Sequence, residues 1–191
     1  MDGKAELHMV GHSAGSIFIA YLLEVLAATG TPVKSLTLYA PACTLDLFEA
    51  NIAPHIGTLV EGYAQFNLTD SVEQDDNVAG AYHKSLLYLV SESFEQRHRM
   101  PILGMEAFVA PAKKALDAMP ENDRKQANRV KRIIGADGQD NGKTVIRALS
   151  LPAALKLDSQ STSHGGFDND EATLNSTLRI ITGRQKLARE F

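Results

Sequence analysis

Residues 5–26 of this 191-residue chain restrict what it can fold into more than any other stretch. Leu7, Met9 and Val10 carry strand-like apolarity, Gly11-His12-Ser13-Ala14-Gly15 interrupts it, and Ile17, Ala20, Tyr21, Leu23 and Leu26 resume at helical spacing. A chain that passes from strand to helix within five residues must turn sharply. Gly11 and Gly15 are expected to let the two elements approach without β-carbon clashes. Ser13 is then held in strained backbone geometry, its hydroxyl outward, at the positive end of a helix. The N–H of Ala14, in the first turn, has no partner inside the helix and is free to bind a developing oxyanion. Strand, Gly-x-Ser-x-Gly turn and helix together make Ser13 a candidate nucleophile.

Gly30-Thr31-Pro32 ends the helical period, and 33–40 is a near-continuous apolar run, as expected of a strand buried on both faces of a parallel sheet. This completes a βαβ unit. Residues 85–90 (SLLYLV) read as a third strand. Between them, 44–83 place Leu47, Phe48, Ile52, Ile56, Leu59, Val60, Tyr63 and Phe66 at helical spacing, followed by a polar patch over 70–77. This stretch reads either as a cap inserted over the site or as connecting helices. Residues 101–119 suggest a helix interrupted at Pro111, the last strand lies within 144–157, and Asp170 can cap a closing helix over 171–182. The expectation is a single α/β domain over 1–191 with a mostly parallel sheet and flanking helices.

Composition narrows the partners. With 44% hydrophobic and 22% charged residues the chain has the profile of an ordinary globular domain, and a net charge of −4 argues against nucleic acid, whose phosphates require a basic surface. The basic run Arg124 to Arg132 follows Asp117, Glu121 and Asp123, an order that the helix dipole favours, and so reads as a solvated helix face. Cys43 has no second cysteine to pair with and is expected to be a small buried hydrophobe in a reducing, cytoplasmic setting. No stretch approaches the ~20 apolar residues of a membrane span. No His, Cys or Asp cluster has metal-ligand spacing, so neither a metal nor an organic cofactor is expected.

Gly11-His12-Ser13-Ala14-Gly15 resembles the esterase and lipase form of the nucleophile elbow in the α/β-hydrolase superfamily, and 33–42 (VKSLTLYAPA) resembles the next core strand of that fold. The resemblance implies a partial α/β-hydrolase fold with a helical cap-like insertion at 44–83, lacking the strands that the family carries before the elbow. A serine hydroxyl needs a base. Of six histidines, His164 alone follows the last strand, in the loop 161–168, where the family order serine, acid, histidine puts the base; His12 is read as shaping the elbow. For the acid, the loop after 85–90 makes Glu95 the first choice and Glu92 the second, with Asp46 and Asp158 as alternatives.

The function implied is that of a serine hydrolase acting on a small carboxylic ester through an acyl-enzyme, with Ser13 as nucleophile, His164 as base, Glu95 as orienting acid and the Ala14 N–H as oxyanion donor. The rival is a catalytically incomplete hydrolase-fold module for binding or assembly, because the family takes its second oxyanion donor from a loop after an early strand. Residues 6–10 would also form an unpaired apolar edge. That predicts a homo-oligomer or an upstream segment covering it.

Overall fold

The computed structural model describes residues 5–78, 80, 82–135 and 138–191. The chain runs β1 (His8–His12), α1 (Gly15–Thr29), β2 (Val33–Tyr39), then α2 (Leu45–Leu47), which continues through a π-helical turn at Phe48–Ile52 and a 3-10 turn at Ala53–His55. It proceeds through β3 (Val60–Leu68), α3 (Asp70–Asp75), α4 (Leu86–Leu89) with a second π-helical turn at Val90–Phe94, α5 (Glu106–Val109), α6 (Lys113–Ala118) and α7 (Glu121–Ile134). β4 (Gln139–Asp140), β5 (Thr144–Leu149), a 3-10 turn at His164–Gly166 and α8 (Glu171–Thr182) complete it. The sheet order is β1-β2-β3-β5-β4.

The first three strands are parallel. β5 is antiparallel to β3 and β4 antiparallel to β5, so the sheet is mixed, with flanking helices, and of the α/β class. This corrects the mostly parallel expectation: two of its four pairings are antiparallel. Among the described residues β1 pairs with β2 alone and forms one edge, with Val10 45% exposed.

α1 packs on one face of the sheet through Ile19, Ala20 and Leu23, all buried, and stops at Gly30. That glycine takes the left-handed φ of +66°, and its N–H, with that of Thr31, closes the last turn on Ala27 and Leu26. On the opposite face, α8 meets β2 through a hydrogen bond between the Tyr39 and Thr177 hydroxyls, and Asp170 caps α8 by accepting from the Thr173 N–H at 2.9 Å, as its sequence suggested. Gly11 is favoured by close approach: a β-carbon there would sit 2.6 Å from the tip of Ile19, which would have to turn aside, and a tight 3.3 Å from the Gly15 backbone. Gly15 is not, since a β-carbon on it would meet nothing within 4 Å. The strand-to-helix contact therefore rests on one of the two glycines.

Two elements are displaced from their sequence assignments. The third strand is β3, in the middle of the sheet and inside the stretch read as a cap, so 44–83 is not an insertion standing off the core. Its alternation is disguised because one face carries Tyr63, Gln65 and Asn67, polar yet fully buried. The Tyr63 hydroxyl donates to Gln65 Oε1, Gln65 Nε2 to Asn67 Oδ1, and both amides to the Leu103 carbonyl. Burial with every partner supplied costs little, but no hydrophobicity pattern reports it. Conversely 85–90 is helical, with the Ser85 hydroxyl capping the N–H of Tyr88. A short apolar run does not distinguish a buried strand from a helix segment.

Candidate active site

The elbow is built from backbone constraints. Ser13 has φ +52°, a left-handed conformation that a side chain adopts at a cost of roughly 1–2 kcal/mol. Three contacts hold it there. The Ser13 N–H donates to the Tyr39 carbonyl at the end of β2 (2.9 Å), and the Ser13 carbonyl accepts from the N–H of Ala42 (3.0 Å) and from the Ser16 hydroxyl (2.7 Å). The same Ser16 oxygen accepts from the N–H of Cys43 (3.0 Å), so the turn before α1 and the loop after β2 are stitched into one unit. That loop is itself strained, with Ala40 at φ +37°, and Gly104 supports it from behind, where a β-carbon would lie 2.6 Å from the Pro41 carbonyl.

His164 Nε2 lies 2.9 Å from Ser13 Oγ, as the sequence order anticipated. Its loop reaches the elbow because Phe167, three residues on, stacks on Tyr39 of β2 with ring centroids 6.0 Å apart. The His164 peptide is gripped at both ends: its N–H donates to Asp76 Oδ2 (2.8 Å), and its carbonyl accepts from His12 Nε2 (2.8 Å). Since a carbonyl only accepts, His12 must carry its proton on Nε2. His12 thus holds the His164 backbone as well as forming part of the turn; nothing in a Gly-x-Ser-x-Gly pattern signals that contact.

The His164 imidazole is 6% exposed, and burial, reinforced by the neighbouring His12 and opposed by Asp76, lowers it to about 4. It is a neutral free base at pH 7. Its Nδ1 is buried without a hydrogen-bond partner among the described residues. The Ala14 N–H, at the exposed N-cap of α1, meets no acceptor among the described residues, which leaves it available to an incoming oxygen.

None of the four carboxylates singled out from the sequence reaches His164. Glu95 ends the π-helical turn after α4, and Glu92 accepts from Tyr82 and Lys84. Asp46, in α2, accepts from Gln126 of α7, while Asp158 holds the N–H of Ser159 and the side chain of Gln160. The carboxylate beside the base is Asp76, at the end of α3. Asp76 lies in the polar patch 70–77 directly after β3, a position hidden as long as 85–90 is taken for the third strand. That carboxylate binds the backbone of His164, and the ring Nδ1 has no hydrogen-bond partner among the described residues.

Cys43 is fully buried, and burial pushes its thiol up to about 12, which makes it a packing residue. Among the described residues no group of three or more His, Cys, Asp or Glu is arranged to hold a metal ion, and no helix is long and apolar enough to cross a membrane. Comparison with protein-family models, with curated proteins and with solved structures gives no match.

Proposed function

We propose that this chain is a serine hydrolase acting on carboxylic esters, with Ser13 as nucleophile, His164 as general base and acid, Asp76 as the carboxylate that orients the base, and the Ala14 N–H as oxyanion donor. The observation that carries this reading is the 2.9 Å contact between Ser13 Oγ and His164 Nε2, made by a serine strained to φ +52° at the start of a helix. Strain at a non-glycine residue persists only where the surrounding structure imposes it, and such residues concentrate at functional sites.

In the first step Ser13 Oγ attacks the ester carbonyl carbon while its proton passes to His164 Nε2 and the carbonyl oxygen gains negative charge against the Ala14 N–H. His164 then gives that proton to the departing alkoxide, leaving an acyl-serine. Water, deprotonated by the same Nε2, releases the carboxylic acid and restores the hydroxyl. Burial of His164 keeps the ring in the basic form down to mildly acidic pH, and Asp76 supplies the negative charge that the transient imidazolium requires.

A second reading has specific support. His164 Nδ1 has no acceptor, and one backbone N–H is the single oxyanion donor identified, which fits a hydrolase-fold module for binding or assembly with an incomplete site. Loss of one such donor costs on the order of a hundredfold in turnover. The lone buried thiol of Cys43 suits a cytoplasmic, reducing setting, and the open edge of β1 suits pairing with a second copy or with an upstream segment.

Labelling with a fluorophosphonate separates the two functional readings. The hydrolase should incorporate one equivalent, on Ser13, and Ser13→Ala should reduce labelling at least a thousandfold with the fold unchanged by circular dichroism. Equal labelling of the variant would remove Ser13 as nucleophile, and no labelling of the parent would favour the incomplete module.

A further inference from the structure

Away from Ser13 and His164, a cavity of about 870 Å³ opens between α5, α6, the turn after α4 and the start of α7. Cavities of several hundred Å³ are the size that holds a small organic ligand. One wall is apolar, formed by Phe108, Ala110, Pro111, Ala112, Ala115 and Met119.

Each carboxylate on the polar side of the cavity already accepts hydrogen bonds from neighbouring groups. Asp70 accepts from the Tyr88 hydroxyl and from Gln74, and Glu92 accepts from Tyr82 and Lys84. Asp123 is held at both oxygens by Arg97, and Glu106 accepts from the N–H of Asp70. Arg99, an exposed residue, lines the same cavity, sits at the strained φ of +58°, and has no hydrogen-bond or ion-pair partner among the described residues. A cationic ligand would therefore meet carboxylates that are already engaged, whereas an anion would meet an unengaged guanidinium.

The α6 segment supplies a second, independent observation. It is six residues long, contributes no buried residue and has no side-chain cap. An isolated helix of that length does not hold itself together in water, since helical stability in proteins comes from packing an apolar face. Here Ala115 and Ala118, at i, i+3 on one face of α6, line the cavity together with the flanking Ala112 and Met119, and Met119 also packs against the core.

We propose that this cavity binds a medium-chain fatty carboxylate, with the alkyl chain against Phe108 and the α6 face and the carboxylate on the Arg99 guanidinium. The site does not depend on Ser13 chemistry, and it is tested in the Ser13→Ala chain so that no turnover intervenes.

Isothermal titration calorimetry with decanoate below its micelle concentration, and with decyltrimethylammonium as a cation of similar chain length, gives the measurement. Decanoate should bind one-to-one with a dissociation constant on the order of 10 μM and the cation at least tenfold more weakly. Arg99→Gln should weaken decanoate about tenfold, the usual size of a lost charge-assisted hydrogen bond. Ala115→Trp, which places an indole in the cavity from an exposed position, should weaken it a hundredfold, and decanoate should slow amide exchange across 113–118. Absence of decanoate binding, equal binding of the cation, or binding that survives both substitutions would overturn the proposal. Loss of binding on Phe18→Ser with both cavity variants intact would overturn it as well, since Phe18 is 68% exposed on α1, outside the cavity.

Discussion

The corner made by β1, α1 and the end of β2 and the corner made by α5 and α6 are built to opposite specifications. In the first, strand, turn, helix and following loop share hydrogen bonds through Ser13, Ser16 and Tyr39, and α1 buries Ile19, Ala20 and Leu23. In the second, α6 buries nothing and borders a large cavity. The first can hold a strained serine against His164 because the Ser13 backbone is tied at both its N–H and its carbonyl, while the Ala14 N–H stays free. The second can reshape around a ligand because so little fixes it. Between them lies α3, with Asp70 on the cavity wall and the Asp76 that follows it on the His164 peptide.

The largest effect should come from testing that contrast through stability. Leu23→Ala, at a fully buried position of α1, should cost about 2–5 kcal/mol by denaturant unfolding, whereas Leu116→Ala on α6 should cost less than about 1 kcal/mol. Equal costs would show that α6 is packed as firmly as α1 and would erase the contrast.

Next comes the pH dependence of Ser13 labelling. His164 titrates at about 4, so the rate should stay level from pH 7 to pH 5 and fall through about 4. At pH 5 that is roughly thirtyfold faster than a histidine at the ordinary 6.5 would allow. A midpoint near 6.5 would show the ring to be solvated. The sign for stability follows: the unfolded chain takes up the His164 proton below 6.5 and the folded chain only near 4, so this group lowers stability as pH falls through that window.

Asp76→Asn should reduce labelling roughly tenfold to thirtyfold and leave the unfolding midpoint within about 1 kcal/mol, since an amide oxygen can still accept from the His164 N–H. Full retention of labelling would make Asp76 a loop anchor only, whereas Glu95→Gln is expected to change nothing.

The smallest effect concerns Glu73 on α3. Its carboxyl is completely buried with neither oxygen hydrogen-bonded, and burial, with Asp70, Asp76 and Glu106 nearby, raises it well above the usual carboxylate range. The folded chain therefore keeps a proton that the unfolded chain releases above about 4.5, so stability falls as pH rises past that point. Glu73→Met should raise stability by about 1–2 kcal/mol at pH 8 and by less at pH 4, measured by urea unfolding. A gain independent of pH would mean that the acid is charged in the folded chain.

How much of this was legible depended on whether the signal was local. The elbow, the break at Gly30, the Asp170 cap and the placement of a histidine after the last strand all follow from residues within a few positions of one another. They rest on turn sterics, caps and chain order, which neighbouring residues determine together. β3 was not legible, because Gln65 and Asn67 are satisfied by Leu103, nearly forty residues away. A buried polar residue looks exposed until its partner is known. Asp76 was lost with that strand.

The amino-acid sequence by itself placed Ser13 at a strand-to-helix turn, and its resemblance to the serine, acid, histidine order singled out His164, which the structure brings to 2.9 Å from the Ser13 hydroxyl. Only the tertiary structure decided which carboxylate stands beside the base, which edge of the sheet is open and which helix is left without a core to pack against. Those outcomes depend on strand order, on the antiparallel return of β5 beside β3, and on hydrogen bonds between residues 88 and 152 positions apart, Asp76 to His164 and His12 to His164. Long-range pairing of that kind is set by the free energy of the whole packed chain, and no window of neighbouring residues contains it.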